Sequence, residues 1–443
     1  MIEKEEYALA RKTLDFALEA GASDARVCLD KGIMDIVNIL NAEPDRVTHC
    51  FDRAISLTLF VDGRFGSFST NKMDEPSLKD FVSRSVEMTR NLAPDPFRKM
   101  PDPSRKERGA KSGLELEVYD PRYEKLTASQ RLETARTLSV YPRKGDGWEI
   151  VSEEGEYCDN CSDNLILDSE GLECLHSETS FEYSVEITIQ TKDGQRYTGF
   201  WWDAAPFLKD LSACGETALE RACSQIGSKP SDSRRTNMVI LNDCASKVVS
   251  PILKALNGYA IQQGSSFLKD SLLKRVFPEG LTIVEKAREK GGCGCRLFDS
   301  EGVSTSDSPI IEKGVVKQYF INTYMSGKLG MAPTSEGPQK PALSHWPENG
   351  PENCGEILRA CGEGILVTDF NGGNFNGATG DFSYGIEGFL FKDGRISGPV
   401  SEMLVTGNIL ELWKNFLYAG NDPRPCMSKL IPTLAFANVD FSG

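Results

Sequence analysis

Three histidines, at positions 49, 176 and 345, and thirteen cysteines are the side chains in this 443-residue chain best suited to acid–base, nucleophilic or metal chemistry. Their spacing restricts what they can do. No His-Glu-x-x-His pair exists to set two imidazoles on one helix face, so each histidine reads as structural. Cys158-Asp159-Asn160-Cys161 is a CxxC without a second CxxC or a nearby histidine, and is expected to be two thiols flanking a β-turn. Cys293-Gly294-Cys295 would point two sulfurs to one strand face, with no further ligand in view. Asp299 and Glu301 bracket Ser300. On an extended segment the two carboxylates would share a face near a ligand or cation; a turn that solvates its own charges is the plainer reading. Gly264-Ser265-Ser266-Phe267 offers backbone N–H groups to an anion or a peptide carbonyl. A phosphate-binding loop ending in Lys-Ser/Thr and a Gly-x-Ser-x-Gly elbow are both missing, which argues against nucleotide hydrolysis and an α/β-hydrolase triad.

The elements that must position these residues can be read from periodicity. Tyr7, Ala10, Leu14, Ala17 and Leu18 form a helical apolar face that stops at Gly21. Residues 25–40 and Ile55–Val61 read as strands. Asp62-Gly63 is a hairpin turn signal, followed by a return strand from Arg64 to Ser69. Helices are expected over 76–92, 124–140 and 206–226, and β structure from Trp148 to Trp202. Val185, Ile187 and Ile189 lie on one face before a second hairpin at Asp193-Gly194. Residues 94–113 are Pro-rich and basic, and read as a solvated loop in preference to a polyanion contact. In the second half, Asn237–Leu241 reads as a strand, with helices near 245–260 and 403–417. A third hairpin is expected at Asp393-Gly394. Eight glycines between 369 and 400 would allow close backbone approach by a neighbouring strand or by an extended peptide.

The composition excludes several classes. Fifty Lys and Arg stand against 65 Asp and Glu, a net charge of −15, which disfavours direct contact with nucleic acid. No apolar run reaches membrane-spanning length. The acidic start does not resemble a signal peptide, and an odd cysteine count suits reduced thiols, so a cytoplasmic location is expected. Gly227–Ser233 is the best linker.

Several ordered motifs then resemble one family across nearly the whole chain. They are Phe298-Asp299-Ser300-Glu301-Gly302-Val303, Ile311 to Tyr319, Thr379-Gly380-Asp381-Phe382-Ser383, Gly407-Asn408 and Gly420-Asn421-Asp422. In the first half, Asp62-Gly63-Arg64-Phe65-Gly66 followed by Ser69-Thr70-Asn71 is similar to the family's GRxGxxSTN hairpin. The family is TldD/PmbA, metallopeptidase-related and also labelled modulators of DNA gyrase.

The resemblance implies two branches. TldD-type chains carry a zinc-binding H-E-x-x-x-H helix and a C-terminal Cys ligand. Alignment on Gly264-Ser265-Ser266 puts that helix at 249–254, which here reads Val249-Ser250-Pro251-Ile252-Leu253-Lys254. Cys426 matches the cysteine, without partners on the helix. A hydrolytic zinc needs about three protein ligands and an open position, so the chain resembles the PmbA (TldE) branch and is expected to hold no zinc of its own. The resemblance implies a heterodimer with a TldD-type zinc peptidase subunit, enclosing a cavity for proteolysis of unfolded or precursor peptides. Without that partner a homodimer is the alternative. Gly264, Ser265, Ser266, Asp299, Glu301, Asp381 and Cys426 are the candidates for the peptide cavity. The competing reading is an active peptidase using Cys426 or a metal site shared across a homodimer. The expected fold class is α+β, in two domains with mainly antiparallel sheets: 1–230, and a Gly-rich, barrel-like metallopeptidase-related domain at 231–443.

Overall fold

Glu6 accepts the N–H of Glu3 at 2.9 Å and so caps the first helix, α1 (Lys4–Glu19), which ends where Gly21 takes a φ of 99°. In the computed structural model, which describes residues 1–443, the chain divides by its contacts into two units. The first comprises Met1–Cys223 and Arg288–Thr305; the second comprises Ser224–Ala287 and Ser306–Gly443.

In the first unit, α1 is followed by β1 (Asp24–Leu40), β2 (Glu43–Val61), β3 (Arg64–Thr70) and α2 (Glu75–Arg90). Asp62 and Gly63 both take positive φ, 50° and 72°, as the β2–β3 hairpin requires. Then come α3 (Ala128–Thr137), β4 (Lys144–Gly145), β5 (Trp148–Asp168), β6 (Glu173–Thr191), β7 (Arg196–Ala205) and α4 (Ala213–Ser224). The strands form one antiparallel sheet in the order β3-β2-β1-β5-β6-β7, with β4 paired to β5. Val27 and Leu29 of β1 pack in the same core as Leu14 of α1 and Leu78 of α2. Val37 and Ile39, in phase with them, pack with Ala135 of α3 and Ala218 of α4. One sheet face is thus covered along its length by helices.

The second unit runs β8 (Arg234–Ile240), α5 (Ser246–Ala255), α6 (Gly258–Gln263), β9 (Ile283–Glu285), β10 (Ser308–Glu312), β11 (Val315–Val316), α7 (Thr323–Leu329) and β12 (Pro341–Leu343). It continues with α8 (Cys354–Cys361), β13 (Gly364–Phe375), β14 (Asp381–Lys392), β15 (Arg395–Asn408), α9 (Ile409–Lys414), β16 (Phe416–Ala419) and β17 (Leu434–Ser442). Strands β15-β14-β13-β8-β17 pair in that order, and β15 also pairs β17, so five strands close into a barrel. Only β13–β8 is parallel within it. The dense glycines serve this packing. A Cβ on Gly388 would stand 1.8 Å from the Leu366 carbonyl oxygen of the neighbouring strand, and one on Gly385 would stand 2.4 Å from that of Asn371.

The α+β expectation holds, and several local readings are corrected. The helix expected at 245–260 breaks at Asn257, whose side chain caps α6 by accepting the Tyr259 N–H at 2.9 Å. Residues 403–408 belong to β15, and only Ile409–Lys414 is helical, because the strand is needed for barrel closure. Helices α7 and α8 were not anticipated; each is short and opens on an asparagine cap, Asn322 or Asn353. Cys158 and Cys161 lie within β5, not beside a turn, and their odd separation sends the two sulfurs to opposite sheet faces. Cys293-Gly294-Cys295 lies outside any strand, with Gly294 at φ 78°.

The Pro-rich connection is also not simply solvated. Lys106 is fully buried on Asp168, and its ammonium also reaches Glu170 at 2.6 Å. Next to it, Glu107 accepts from Arg288 Nη1 at 3.0 Å and Ser304 Oγ at 2.7 Å. These contacts, with the bridge between Lys106 and Val303, tie Arg288–Thr305 to the first unit. Removing one partner of a buried pair leaves an uncompensated charge, so Lys106→Met should lower stability by about 3–5 kcal/mol. Urea unfolding checks this, and adding Asp168→Asn to the variant should recover part of the loss.

Candidate functional site

Helix α5 has two unlike faces. Val248, Val249, Ile252 and Leu253 are buried in the core with Trp413, Met403 and Val405. Lys247, Ser250, Pro251 and Lys254 follow the i, i+3, i+4, i+7 spacing of a single stripe and line a cavity of about 420 Å³. Pro251, inside the helix, has no N–H to donate to the Lys247 carbonyl four residues back.

The opposite wall comes from β13 and β14. Phe370, Phe375 and Tyr384 supply aromatic surface, and Asp369 is the lone acid among the lining residues. Phe370 and Phe382 each pack on Tyr384, with ring centroids 5.7 and 5.1 Å away. The Lys247 ammonium lies 4.7 Å from the centre of the Tyr384 ring. Burial pushes the Tyr384 hydroxyl above its ordinary pKa, so it stays neutral at physiological pH. β13 pairs β8 only through Gly364–Val367, and beyond that point its ladder partner is β14 alone. Gly372 and Gly373 sit at the register shift between Asn371 and Asn374. Gly373 must be glycine, because a Cβ would meet the Ser383 carbonyl oxygen at 2.2 Å.

Of the seven candidates for the peptide cavity none lines this one, and only Gly264, Ser265, Ser266 and Asp381 build a corner beside it. Gly264 ends α6 in the left-handed conformation, at φ 70°. Ser265 donates to the Ala260 carbonyl, and buried Ser266 to that of Ala255 at 2.6 Å. Asp381 accepts from the Thr379 hydroxyl at 2.6 Å and the Asn408 amide at 2.9 Å, which lowers its pKa. These two motifs meet in one corner: Phe267 N–H donates to the Gly377 carbonyl at 3.2 Å, and Phe267 packs edge-on against Phe375 of the cavity.

Asp299 and Glu301 belong to the other unit and lie in a turn, not on an extended segment. Asp299 spends one carboxylate oxygen on the N–H groups of Glu301 and Val303, each at 3.0 Å. Cys426 lies in the loop between β16 and β17. Asn242 holds the Asp422 carbonyl in that same loop. Of the lining residues, Ser250, Pro251 and Lys254 stand in the segment matched to the zinc helix and Gly373 among the dense glycines, whereas Lys247, Asp369 and the aromatic wall were not singled out in the sequence, although the polar stripe on an otherwise apolar helix was there to find.

The donor set does not fit zinc. At the positions matched to H-E-x-x-x-H stand buried Val249, Ser250 and the ammonium of Lys254, none of them a ligand of the usual kinds. No group of three or more His, Cys, Asp or Glu side chains converges as a cation site.

A separate charged cleft in the first unit holds His176, Lys31, Asp163 and Arg296. Nearby, Glu178 takes Arg296 Nη2 at 2.7 Å and His176 Nε2 at 3.2 Å. Burial alone would raise the Glu178 pKa, but His176 and Arg296 overcome it and bring it down to about 2.

The architecture defines a class: an α+β protein with a long antiparallel sheet in one unit and a closed five-strand barrel in the other. Residues 29–89, 121–226 and 233–443 match the models of PmbA/TldA metallopeptidase domain 1, central domain and C-terminal domain. The chain belongs to the PmbA/TldD family. It is 26% identical to "Metalloprotease PmbA" of Escherichia coli O157:H7, over 95% of this chain and 94% of that protein. A crystal structure of a candidate modulator of DNA gyrase from Bacteroides thetaiotaomicron is 37% identical, covers all of both chains and superposes with a TM-score of 0.93. TldE from Thermococcus kodakarensis shares the fold at a TM-score of 0.82 and 18% identity, over 98% of this chain and all of that one.

Burial pushes the Cys158, Cys161 and Cys174 thiols up to about 12, so they stay protonated. Alkylation of the native chain at pH 8, read by peptide mapping, should therefore mark exposed Cys50 and leave these three unmodified until the chain is unfolded. The depressed Glu178 pKa contributes stability above its unfolded value and loses it as pH falls toward about 2. Glu178→Gln should accordingly be less stable than the parent at pH 7, with the deficit shrinking steadily on acidification, as followed by denaturant titrations at several pH values.

Proposed function

We propose that this chain is the non-catalytic, PmbA/TldE-type subunit of a two-subunit peptidase. In this reading it helps form a cavity that holds unfolded or precursor peptide. A TldD-type partner with an intact H-E-x-x-x-H helix supplies the zinc that activates water. The observation that carries the reading is the cavity-facing stripe of α5, which presents Ser250 and Lys254 where the zinc-binding branch presents ligands. A hydroxyl and an ammonium cannot polarise a scissile carbonyl as a Lewis acid does. The edge of β13 that β8 leaves unpaired beyond Val367 supports the peptide-holding role, because an extended peptide can satisfy such an edge.

The corner of Gly264, Ser265, Ser266 and Asp381 then fixes the cavity wall through Phe267 and Phe375. Asp299, Glu301 and Cys426 remain candidates only for surfaces completed elsewhere in the complex. None of the thirteen cysteines forms a disulfide, which suits a cytoplasmic location. No helix is long and apolar enough to cross a membrane. A link to gyrase rests on the names of relatives, and the −15 net charge offers no route through direct DNA contact.

Metal analysis of the purified chain should find well under one zinc per chain, and the chain alone should leave casein intact. Mixed with a TldD-type partner, it should form a stable complex that cleaves casein and loses activity to a chelator. Cys426→Ser in that reconstituted pair should retain activity. Stoichiometric zinc with chelator-sensitive cleavage by the isolated chain would overturn the proposal, and complete loss of activity in the Cys426 variant would favour a cysteine-based enzyme.

A further inference from the structure

We infer that the cavity over α5 is a carboxylate-binding pocket that takes the free C-terminal end of a peptide. The inference rests on the peptide-holding reading and adds the part of the peptide that is recognised. Its basis is a local excess of donors in an acidic protein. The chain as a whole carries −15, yet the residues lining this cavity include two lysines and a single acid, Asp369. Asp369 already has one oxygen engaged by the Phe370 N–H at 2.8 Å.

Neither lysine has its charge neutralised by an acid. Lys247 rests on the Tyr384 ring, and Lys254 is exposed at the cavity rim; neither forms an ion pair. Seven residues of helix separate their Cα atoms by about 10 Å, a gap that two lysine stems can close from both sides. The hydroxyl of Ser250 lies between them on the same stripe. Ammonium, hydroxyl and ammonium in a row form a set of donors suited to one carboxylate.

The remaining surface selects the rest of the ligand. Phe370, Phe375 and Tyr384 offer apolar area beside the cationic stripe, which suits a terminal residue with an apolar or aromatic side chain. Inorganic phosphate satisfies the lysines equally well but leaves the aromatic wall uncovered. The volume of about 420 Å³ also exceeds what a single small anion fills.

Isothermal titration of the full chain with an N-acetylated tetrapeptide ending in phenylalanine tests this, using the free acid, its C-terminal amide and inorganic phosphate as separate titrants. The acid should bind about tenfold more tightly than the amide. Lys247→Met and Lys254→Met should each bring the acid toward the amide's affinity and leave the amide unchanged, with the thermal midpoints showing that both variants fold. Rising salt should weaken the acid and spare the amide. Equal binding of acid and amide overturns the inference while peptide holding survives. Binding of neither peptide removes both readings. Lysine-dependent binding of phosphate without the acid peptide overturns the assignment to a peptide end.

Discussion

The pairing of Leu404 with Ser442, and of Val405 with Phe441, turns an open sheet into a closed one. Closure pairs β15 with β17 at these residues and brings alternate residues from five strands into a common core, among them Met238, Ile365, Ile386, Met403 and Phe441. Helix α5 packs its apolar face into that same core, and this sets its polar stripe opposite β13 and β14. The cavity exists because one helix must satisfy two neighbours: a hydrophobic core on one side and the partly unpaired end of β13 on the other.

That stripe decides what chemistry the site supports. Zinc-dependent hydrolysis needs several ligands converging on one ion with a position left for water. Here the cavity-facing positions of α5 carry a serine, a proline and two lysines, on a scaffold shared with proteins named as metalloproteases. A helix can keep its packing face, and with it its place in the fold, whether its cavity-facing stripe carries metal ligands or, as here, a serine, a proline and two lysines. Packing and cavity lining are separable for this physical reason: Val248, Val249, Ile252 and Leu253 answer to the core, whereas Lys247, Ser250 and Lys254 line the cavity.

The first unit has a comparable division of labour. Its long sheet places the CxxC thiols on opposite faces, and burial keeps them protonated. Its conspicuous charges are largely structural. Lys106 neutralises buried Asp168, and Glu107 anchors Arg288, so that Arg288–Thr305 contributes to a unit far from it in sequence. The Phe298–Val303 motif is a turn in which the Asp299 carboxylate accepts two backbone N–H groups.

Much of the fold was legible in the residues. The Asp62-Gly63 and Asp393-Gly394 hairpins, the first two helices and the alternation of Val185, Ile187 and Ile189 follow from local backbone preference and hydrophobic period, which need no distant partner. The loss of the imidazoles and carboxylate expected on α5 was equally plain, since ligand chemistry belongs to residue type. What the residues could not declare were matters of long-range pairing. Strand β15 displaced an expected helix because barrel closure outweighs the local preference of residues 403–408. Lys106 looked like one more solvated charge until Asp168 was found beside it. The cavity itself is assembled from α5 and from β13 and β14, which lie more than a hundred residues further along the chain. Sequence alone determined which chemical groups this protein possesses and which it lacks; only tertiary packing decided which of them share a cavity, because side-chain proximity is set by strand register and core burial and not by position along the chain.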